Sequence, residues 1–290
     1  MPTQPILSSN YAGEQAGAYV GACVKSGLTL SEGNITFLEN VKYKRNLTVV
    51  DTSSIITTDN CTFTSGNMTL TDRVIEPRKY KLNLELCKRN LELDWQAANM
   101  QPGVVNSGMS TDFTDFVVGY LGGTVGEDVE NKIWVDLKAK ALADATVLDV
   151  ANPVQLSVGN IIAEIKKVYA LIPATCYGKE GLTIYLGTAA LKFYIEAMSA
   201  LGYMQIYYAA DIPLQFQGVK IAHAPGMAAN TMMASVNTNF YAATDLVSDF
   251  VNLTILDMSQ LDASSNIRIA MNYSIAANHA VGKDVVLYGV

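Results

Sequence analysis

Few side chains in this sequence are placed to perform chemistry, and the histidines are the first candidates. His223 and His279 are its two histidines, and neither stands in an HExxH pattern or beside a cysteine at zinc-ligand spacing. Asp245, Asp249 and Asp257 could converge on a divalent cation, but helix capping and solvated faces explain isolated aspartates equally well. We therefore expect surface or hydrogen-bonded histidines, and no metal or cofactor.

A glycine-rich stretch, GYLGGTVG at residues 119–126, is the next candidate because glycines can cradle phosphate groups. These glycines do not fit GxGxxG, and the sequence contains no GxxxxGK motif followed by serine or threonine. A GxSxG elbow for a serine nucleophile is also absent. The sequence predicts no catalytic residue and favours a function other than that of an enzyme.

Composition limits the function classes further. Half of the 290 residues are apolar, 16% are charged and the net charge is −7. That charge opposes nonspecific attraction to nucleic acid, so tight DNA binding is not expected. The first residues show no basic region before an apolar run, so we expect no signal peptide, and no apolar run reaches membrane-spanning length. Four cysteines without CxxC spacing predict free thiols in a reducing compartment: Cys23, Cys61, Cys87 and Cys176.

The first part of the chain reads as an arm followed by a β excursion. Residues 1–33 are rich in Gly, Ala and Ser without a sustained period, which predicts an extended arm ordered by contact with something else. The segment CTFTSGNMTL alternates apolar and polar residues around positions 65–67, which is typical of a β-hairpin with a glycine-containing loop. Its flanks, residues 34–51 and 73–78, have too few large apolar residues for a core. The hairpin is therefore predicted to project.

Core elements follow this excursion. Period-two alternation predicts a strand with four apolar residues on one face: Tyr80, Leu82, Leu84 and Leu86. Between residues 111 and 145, an i+4 stripe predicts one long helix or two collinear ones: Val125, Val129, Ile133, Leu137 and Ala141. Each glycine within 119–126 costs about 1 kcal/mol in a helix interior, so we expect a bend or break there.

The second half of the chain reads as a compact α/β block. One helical stripe ends at Pro173: Val158, Ile161, Ile162, Ile165, Tyr169 and Ile172. A third helix follows the strand TIYLG, with Thr188 as its N-cap and Gly202 as its stop. The chain closes with strict alternation over residues 267–275, a turn at 282–284 and the strand VVLYG.

This order of elements resembles the tailed-phage major capsid proteins of the Hong Kong 97-type fold over essentially the whole chain. Within the α/β block, TIYLGTAALKFYIEAMSALG resembles the strand-then-helix step of these proteins. GVKIAHAPGMAANTMMASV resembles the strand, loop and strand that follow. The resemblance implies an α+β fold with an N-terminal arm at 1–33, an extension loop at 34–78, a peripheral domain at 79–156 with a spine helix near 111–145, an axial domain at 157–261, and closing strands of the peripheral domain at 262–290.

The resemblance also implies a structural function. Many copies would form pentamers and hexamers and tile an icosahedral shell around packaged DNA, with the axial tips meeting at the ring centres. Residues 218–246, which are nearly devoid of charge, would then build the axial core and its tip. Their small and amide side chains would allow near-equivalent contacts in rings of different curvature.

Partners and location follow from the same resemblance. It implies a virion protein, assembled in the host cytoplasm, that contacts DNA weakly and nonspecifically and enters no membrane. Portal, scaffold and decoration proteins are further candidate partners. Many relatives carry an N-terminal scaffolding segment that is cut away; none precedes the arm here, so we expect a separate scaffold or none. One branch of the family crosslinks a loop lysine to a neighbour's asparagine, but ordinary ion pairing is expected of Lys42, Lys44, Lys79 and Lys81.

The predicted contact with a neighbouring subunit is the tip of the extension loop, residues 60–70. A two-stranded hairpin is marginal alone in water, so a projecting one should gain order on a neighbour. Strand alternation would direct its apolar residues there: Cys61, Phe63, Met68 and Leu70. Two alternatives stay open. One is an encapsulin-like nanocompartment shell protein, and the other is a soluble α/β enzyme or binding module with an undetected site.

Overall fold

The computed structural model describes residues 27–53, 55–56, 58, 61, 65–87, 111–202, 214–246, 253–258, 261–264 and 266–289. The chain divides into two compact units, each made of separated stretches of sequence. The described residues of the first unit come from 79–127 and 246–274, and those of the second from 26–78, 128–245 and 275–290. Most of the predicted arm lies outside the described residues, and its last part contains a one-turn helix, α1 (Leu28–Ser31).

A two-stranded antiparallel ribbon occupies most of the predicted extension loop. Strand β1 (Thr36–Leu38) precedes it, and the ribbon consists of β2 (Arg45–Ser53) and β3 (Asn67–Ile75). The register runs from Arg45 opposite Ile75 to Ser53 opposite Asn67. A β-hairpin is present, but its strands are not the predicted ones: β3 begins at Asn67, inside the predicted loop, and it pairs with β2 rather than with residues 61–64. Threonines and valines in residues 45–53 favour extended backbone, so this earlier segment supplies the first strand.

The first unit is a small sheet packed against the start of a long helix. Strand β4 (Arg78–Cys87) pairs with β12 (Asn266–His279), and β11 (Thr254–Asp257) pairs antiparallel with β12. The predicted alternation in β4 is confirmed, since Leu82, Leu84 and Leu86 pack on a cluster from the helix and β12: Val117, Leu121, Ile267 and Ile269. Alternate residues of each strand share one face, so both strands turn their aliphatic side chains to the same core.

The predicted long helix, α2 (Thr111–Ala143), is one continuous element of 33 residues. It runs without a break through its glycines, contrary to the break that helix propensity favours. Burial is the physical reason: the predicted i+4 stripe is buried at every position from Val125 to Ala141. Packing of such a stripe contributes more than the propensity that glycine loses, which is about 1 kcal/mol per residue.

The second unit is centred on a six-stranded mixed sheet. Its strands are β5 (Leu148–Asp149), β6 (Leu182–Leu186), β7 (Gln215–Phe216), β8 (Val219–His223), β9 (Thr231–Val236) and β13 (Val286–Gly289). Within the sheet they lie in the order β5-β13-β9-β6-β8-β7. The predicted helices are α3 (Ile161–Leu171) and α4 (Thr188–Ala200). Both contribute side chains to the core of this sheet, among them Ile161, Ile165, Ala190 and Tyr194. Every residue of β6 and β9 is buried, as in sheets covered on both faces.

The predicted N-cap of α4 needs correction. Gly187 is the N-cap, and Thr188 is the first helical residue. A Cβ atom at position 187 would lie 3.0 Å from the carbonyl oxygen of Met227 and 3.1 Å from that of Ala228, so only glycine fits there without displacing backbone. The Thr188 hydroxyl instead lies 3.0 Å from His223 Nε2.

A second group of strands in this unit holds the base of the ribbon. β1 pairs in parallel with β10 (Phe240–Ala243), and β10 pairs antiparallel with the last residues of β12. The predicted closing strand is confirmed, because its five alternating residues are all buried: Ile267, Ile269, Met271, Tyr273 and Ile275. The turn that follows is a short 3₁₀ helix, Gly282–Asp284, ahead of β13.

Candidate inter-subunit surface

The residues that could have performed chemistry occupy structural positions. Both histidines belong to strands: His223 ends β8 and bonds to Thr188, and His279 ends β12 with Nε2 2.9 Å from Asp144 Oδ2. Burial lowers the pKa of each histidine below 6.5. His279 is a fully buried residue rather than a surface one.

The glycine-rich stretch and the candidate aspartates likewise form no common site among the described residues. The glycine-rich stretch 119–126 lies inside α2, where its amides belong to the helix rather than to a phosphate loop. Asp249 lies outside the described residues, and within the described ones no three His, Cys, Asp or Glu side chains converge to hold a metal ion. None of the described helices is long and apolar enough to cross a membrane.

The ribbon presents an exposed apolar face. Alternation along β3 places Met68, Leu70 and Val74 on one side, and the register places Val50 of β2 opposite Leu70. These four side chains are 63%, 64%, 42% and 52% exposed, respectively. We call them the apolar ribbon face. Val50, Leu70 and Met68 adjoin one another, whereas Val74 is separated from Leu70 by Asp72, which accepts a hydrogen bond of 3.0 Å from Thr48. Exposed aliphatic side chains grouped on a monomer are typical of a surface that meets another molecule.

Two of the four predicted contact residues lie on the apolar ribbon face, and the other two belong to the segment between β2 and β3. Met68 and Leu70 belong to the apolar ribbon face. Cys61 is an exposed free thiol in the connection between β2 and β3, and Phe63 lies outside the described residues. Sequence reasoning missed Val50 and Val74 because it paired the segment 61–64 with 68–70. Adjacent Val49 and Val50 interrupt the alternation within β2, so only the register shows that Val50 lies opposite Leu70.

The opposite face of the ribbon is buried at its base. Ile75 is 1% exposed, and together with Val41, Ala243 and Ala276 it forms a hydrophobic cluster. Leu47, which faces the same side as Ile75 by alternation, packs against this cluster. The base of the ribbon is therefore fixed on the second unit, and the apolar ribbon face points away from this attachment.

Polar contacts add to the attachment. Asn278 Nδ2 donates a hydrogen bond of 2.9 Å to the carbonyl oxygen of Val74. Lys283 Nζ lies 2.8 Å from Asp51 Oδ2, in an ion pair exposed to solvent on both sides. Arg73 forms an ion pair with Asp144, just beyond the end of α2. These contacts join β2 and β3 to three different parts of the second unit, so the ribbon has a defined direction in the single protomer.

Comparison with known proteins identifies solved structures that share the fold of this chain. No protein-family model matches the chain, and no curated protein matches it. Solved structures match almost its full length: one from Mycobacterium phage Che8 is 8% identical, with a TM-score of 0.59 over 99% of this chain and 98% of the other. The capsid structure of cyanophage P-SCSP1u is 11% identical, with a TM-score of 0.60 over 95% and 91%.

A third match is a virus-like particle from Pyrococcus furiosus, which is 10% identical with a TM-score of 0.53 over 90% of this chain and 96% of the other. At such identities the likeness concerns the fold. It covers at least nine-tenths of both chains in each of these three structures, so it is not limited to one common motif. The chain therefore has the Hong Kong 97-type α+β fold of tailed-phage major capsid proteins.

Proposed function

We propose that this chain is a major capsid protein whose copies assemble into the icosahedral head shell that encloses a phage genome. The match to phage capsid structures over more than nine-tenths of both chains supports this function. In this proposal the protein is structural and catalyses no reaction. Its main partners are other copies of itself, arranged in pentamers and hexamers.

The observation that carries the proposal is the apolar ribbon face. A ribbon of two strands has no second layer of its own, and Met68 and Leu70 are more than 60% exposed in the single protomer. Burying each such side chain against a neighbour would contribute about 1–2 kcal/mol, because removal of apolar surface from water is favourable. A second copy is the occupant that the capsid fold favours, since shells of this fold are built from repeated subunits.

The extended set of contact residues follows from this face. We propose that Val50 and Val74 join Met68 and Leu70 in the contact, and that Cys61 and Phe63 add to it at the distal end. In this interpretation residues 34–78 are the extension loop, 1–33 the arm and 157–261 the axial domain. The remaining stretches, 79–156 and 262–290, form the peripheral domain.

The remaining assignments rest on the fold and on charge. The net charge of −7 favours weak, nonspecific contact with packaged DNA. We propose the virion as the location, with assembly in the host cytoplasm. Portal, scaffold and decoration proteins are the candidate additional partners.

Electron microscopy and sedimentation of the purified chain test the proposal. We expect closed shells with five-fold and six-fold rings, and their absence under conditions in which the source particle persists would refute it. The nanocompartment alternative predicts shells whose source particles contain enzyme cargo and no genome. Nucleic acid content of those particles, measured from the ratio of absorbance in the ultraviolet, distinguishes the two.

A further inference from the structure

Three side chains from different parts of the second unit meet at the base of the ribbon. Arg73 of β3 pairs with Asp144 Oδ2, and His279 Nε2 lies 2.9 Å from the same oxygen. The other oxygen of Asp144 accepts hydrogen bonds of 3.0 Å from the Thr146 amide and 2.8 Å from its hydroxyl. We call Arg73, Asp144 and His279 the Asp144 clasp. It links the ribbon to the end of α2 and to the end of β12.

The surroundings of the clasp are tightly packed. A Cβ atom added at Gly282 would overlap both the Thr146 hydroxyl and Asp144 Oδ2, so the turn after β12 presses directly on the carboxylate. His279 has no exposed side-chain surface, and Asp144 has only 7%. The hydrogen bond between His279 and Asp144 can therefore change only if one of their two segments moves, whereas the Arg73 side chain remains 32% exposed.

The hydrogen bonding of His279 identifies its protonation state. An ionised carboxylate only accepts, so Nε2 must carry the proton that is donated to Asp144. Its Nδ1 is buried and has no hydrogen-bond partner among the described residues. A neutral ring fits this environment. Protonation of Nδ1 would create a buried donor without an acceptor, together with a buried positive charge, and both are costly.

We propose that His279 makes the attachment of the ribbon sensitive to pH: the neutral imidazole closes the Asp144 clasp, and protonation in weak acid opens it and releases the base of β3. The proposal concerns a single chain and does not depend on the proposed shell function.

The charges around His279 agree with this direction. Burial lowers its pKa below 6.5, Arg73 and Lys140 lower it further, and the hydrogen bond with Asp144 and the charge of Asp144 oppose them. Burial alone would raise the pKa of Asp144, but hydrogen bonds from His279 and Thr146 and the charge of Arg73 hold it below 3.8. Asp144 thus stays ionised in weak acid, and His279 is the group that titrates.

The sign of the pH effect follows by linkage. Because burial in the closed clasp lowers the pKa of His279 despite its hydrogen bond with Asp144, the open state binds protons more readily than the closed state does. The stability that the neutral His279 ring contributes is fully present above pH 6.5 and declines as the pH falls from that value through the lowered pKa. The Asp51–Lys283 pair and the Asn278–Val74 hydrogen bond do not titrate in this range, so the expected opening is local.

Hydrogen–deuterium exchange of the full chain tests the proposal, with protection factors for residues 67–75 compared at about pH 7.5 and about pH 5.5. In the wild type we expect the protection factors to fall by up to about tenfold at the lower pH. This limit is set by the open state, in which a histidine of ordinary pKa is protonated about ten times more often than it is neutral one pH unit below that pKa. His279→Gln keeps an amide donor near the position of Nε2 but cannot titrate, so its protection should not depend on pH. His223→Gln, which removes the other histidine, should retain the wild-type loss.

Two results would overturn the proposal: equal protection of the wild type at both pH values, or the same loss in His279→Gln as in the wild type. If His279→Gln does not fold, exchange at the imidazole C2 position of His279 in the His223→Gln variant gives a second test. A pKa below 6.5 that coincides with the loss of ribbon protection supports the clasp, and a pKa at or above 6.5 contradicts it. Electron micrographs of the same samples report on shell formation separately.

Discussion

Glu130 of α2 is a buried carboxylate with several hydrogen-bond donors around it. Glu130 is 1% exposed. Its carboxylate accepts hydrogen bonds from the Thr29 hydroxyl, from the Thr29 amide at 3.2 Å and from Trp134 Nε1 at 2.9 Å. A buried carboxylate is tolerated when donors surround it in this way. The contact ties α1, the last described piece of the predicted arm, to the long helix.

Glu130→Ala should destabilise the protomer by on the order of 3 kcal/mol, because it leaves the amide and hydroxyl donors of Thr29 buried without their acceptor. Trp134 Nε1 would keep its second acceptor, Thr29 Oγ1, at 2.9 Å. Urea unfolding followed by circular dichroism measures the change. Glu196→Ala on the exposed side of α4 is the matched control and should stay within about 0.5 kcal/mol of the wild type. Equal stabilities of the two variants would contradict the role of Glu130.

Gly226 is a second residue fixed by its neighbours. A Cβ atom there would overlap the backbone carbonyl of Glu130, which has little freedom to move within α2. Gly226→Ala should therefore destabilise the protomer by about 1–3 kcal/mol and lower its melting temperature. In contrast, Gly159→Ala adds a methyl group with no atom within 4 Å and should be close to neutral. Calorimetry of both variants checks the difference, which should vanish if Gly226 is free to shift.

At the scale of elements, the ribbon combines a buried base with an exposed upper face. The same alternation that buries Leu47 and Ile75 on one side turns Val50 and Leu70 to the other. The free protomer gains nothing from the second set of side chains. Changes on the apolar ribbon face should therefore affect association and leave the folding of the protomer unchanged.

Leu70→Lys is the sharpest test of this separation. Burying a leucine at a contact contributes about 2 kcal/mol, so we expect the concentration needed for assembly to rise by at least about tenfold. Thr71→Lys, one residue along β3 and on the opposite face, should assemble as the wild type does. Sedimentation measures assembly, and thermal melting should show the same protomer stability for both variants. Wild-type assembly of Leu70→Lys would remove this face from the contact.

At the scale of the whole molecule, low charge and a long projecting element suit a subunit that buries much of its surface against copies of itself. Only 16% of the residues are charged, with a net charge of −7. In the proposed capsid, the acidic balance would also limit adhesion to the packaged genome, because counterion release requires clustered basic side chains.

Binding to DNA should accordingly be weak. With a labelled duplex at physiological salt, we expect a dissociation constant no tighter than about 1 μM and no dependence on base sequence. Fluorescence anisotropy measures it, with a basic DNA-binding protein as the positive control. Nanomolar, sequence-selective binding would contradict an inner wall that confines DNA without holding it.

Local patterns in the sequence were sufficient for most elements. Alternation predicted β4 and the buried residues of β12, and the i+4 stripe predicted α2 within two residues of its end. Such periodicities report burial directly, because a side chain's face is fixed by its position along a helix or strand. The order of these elements was also enough for the resemblance to the capsid fold.

The candidate surface depended on contacts that no local pattern encodes. The register of β2 against β3 placed Val50 beside Leu70, and a different loop length would have paired other residues. The same holds for the unbroken course of α2, where burial of the stripe outweighs the glycines. The Asp144 clasp joins residues separated by 71 and 135 positions in the sequence. Single positions carry no sign of such partners, so only the tertiary structure decided which face of the ribbon is free and what holds its base.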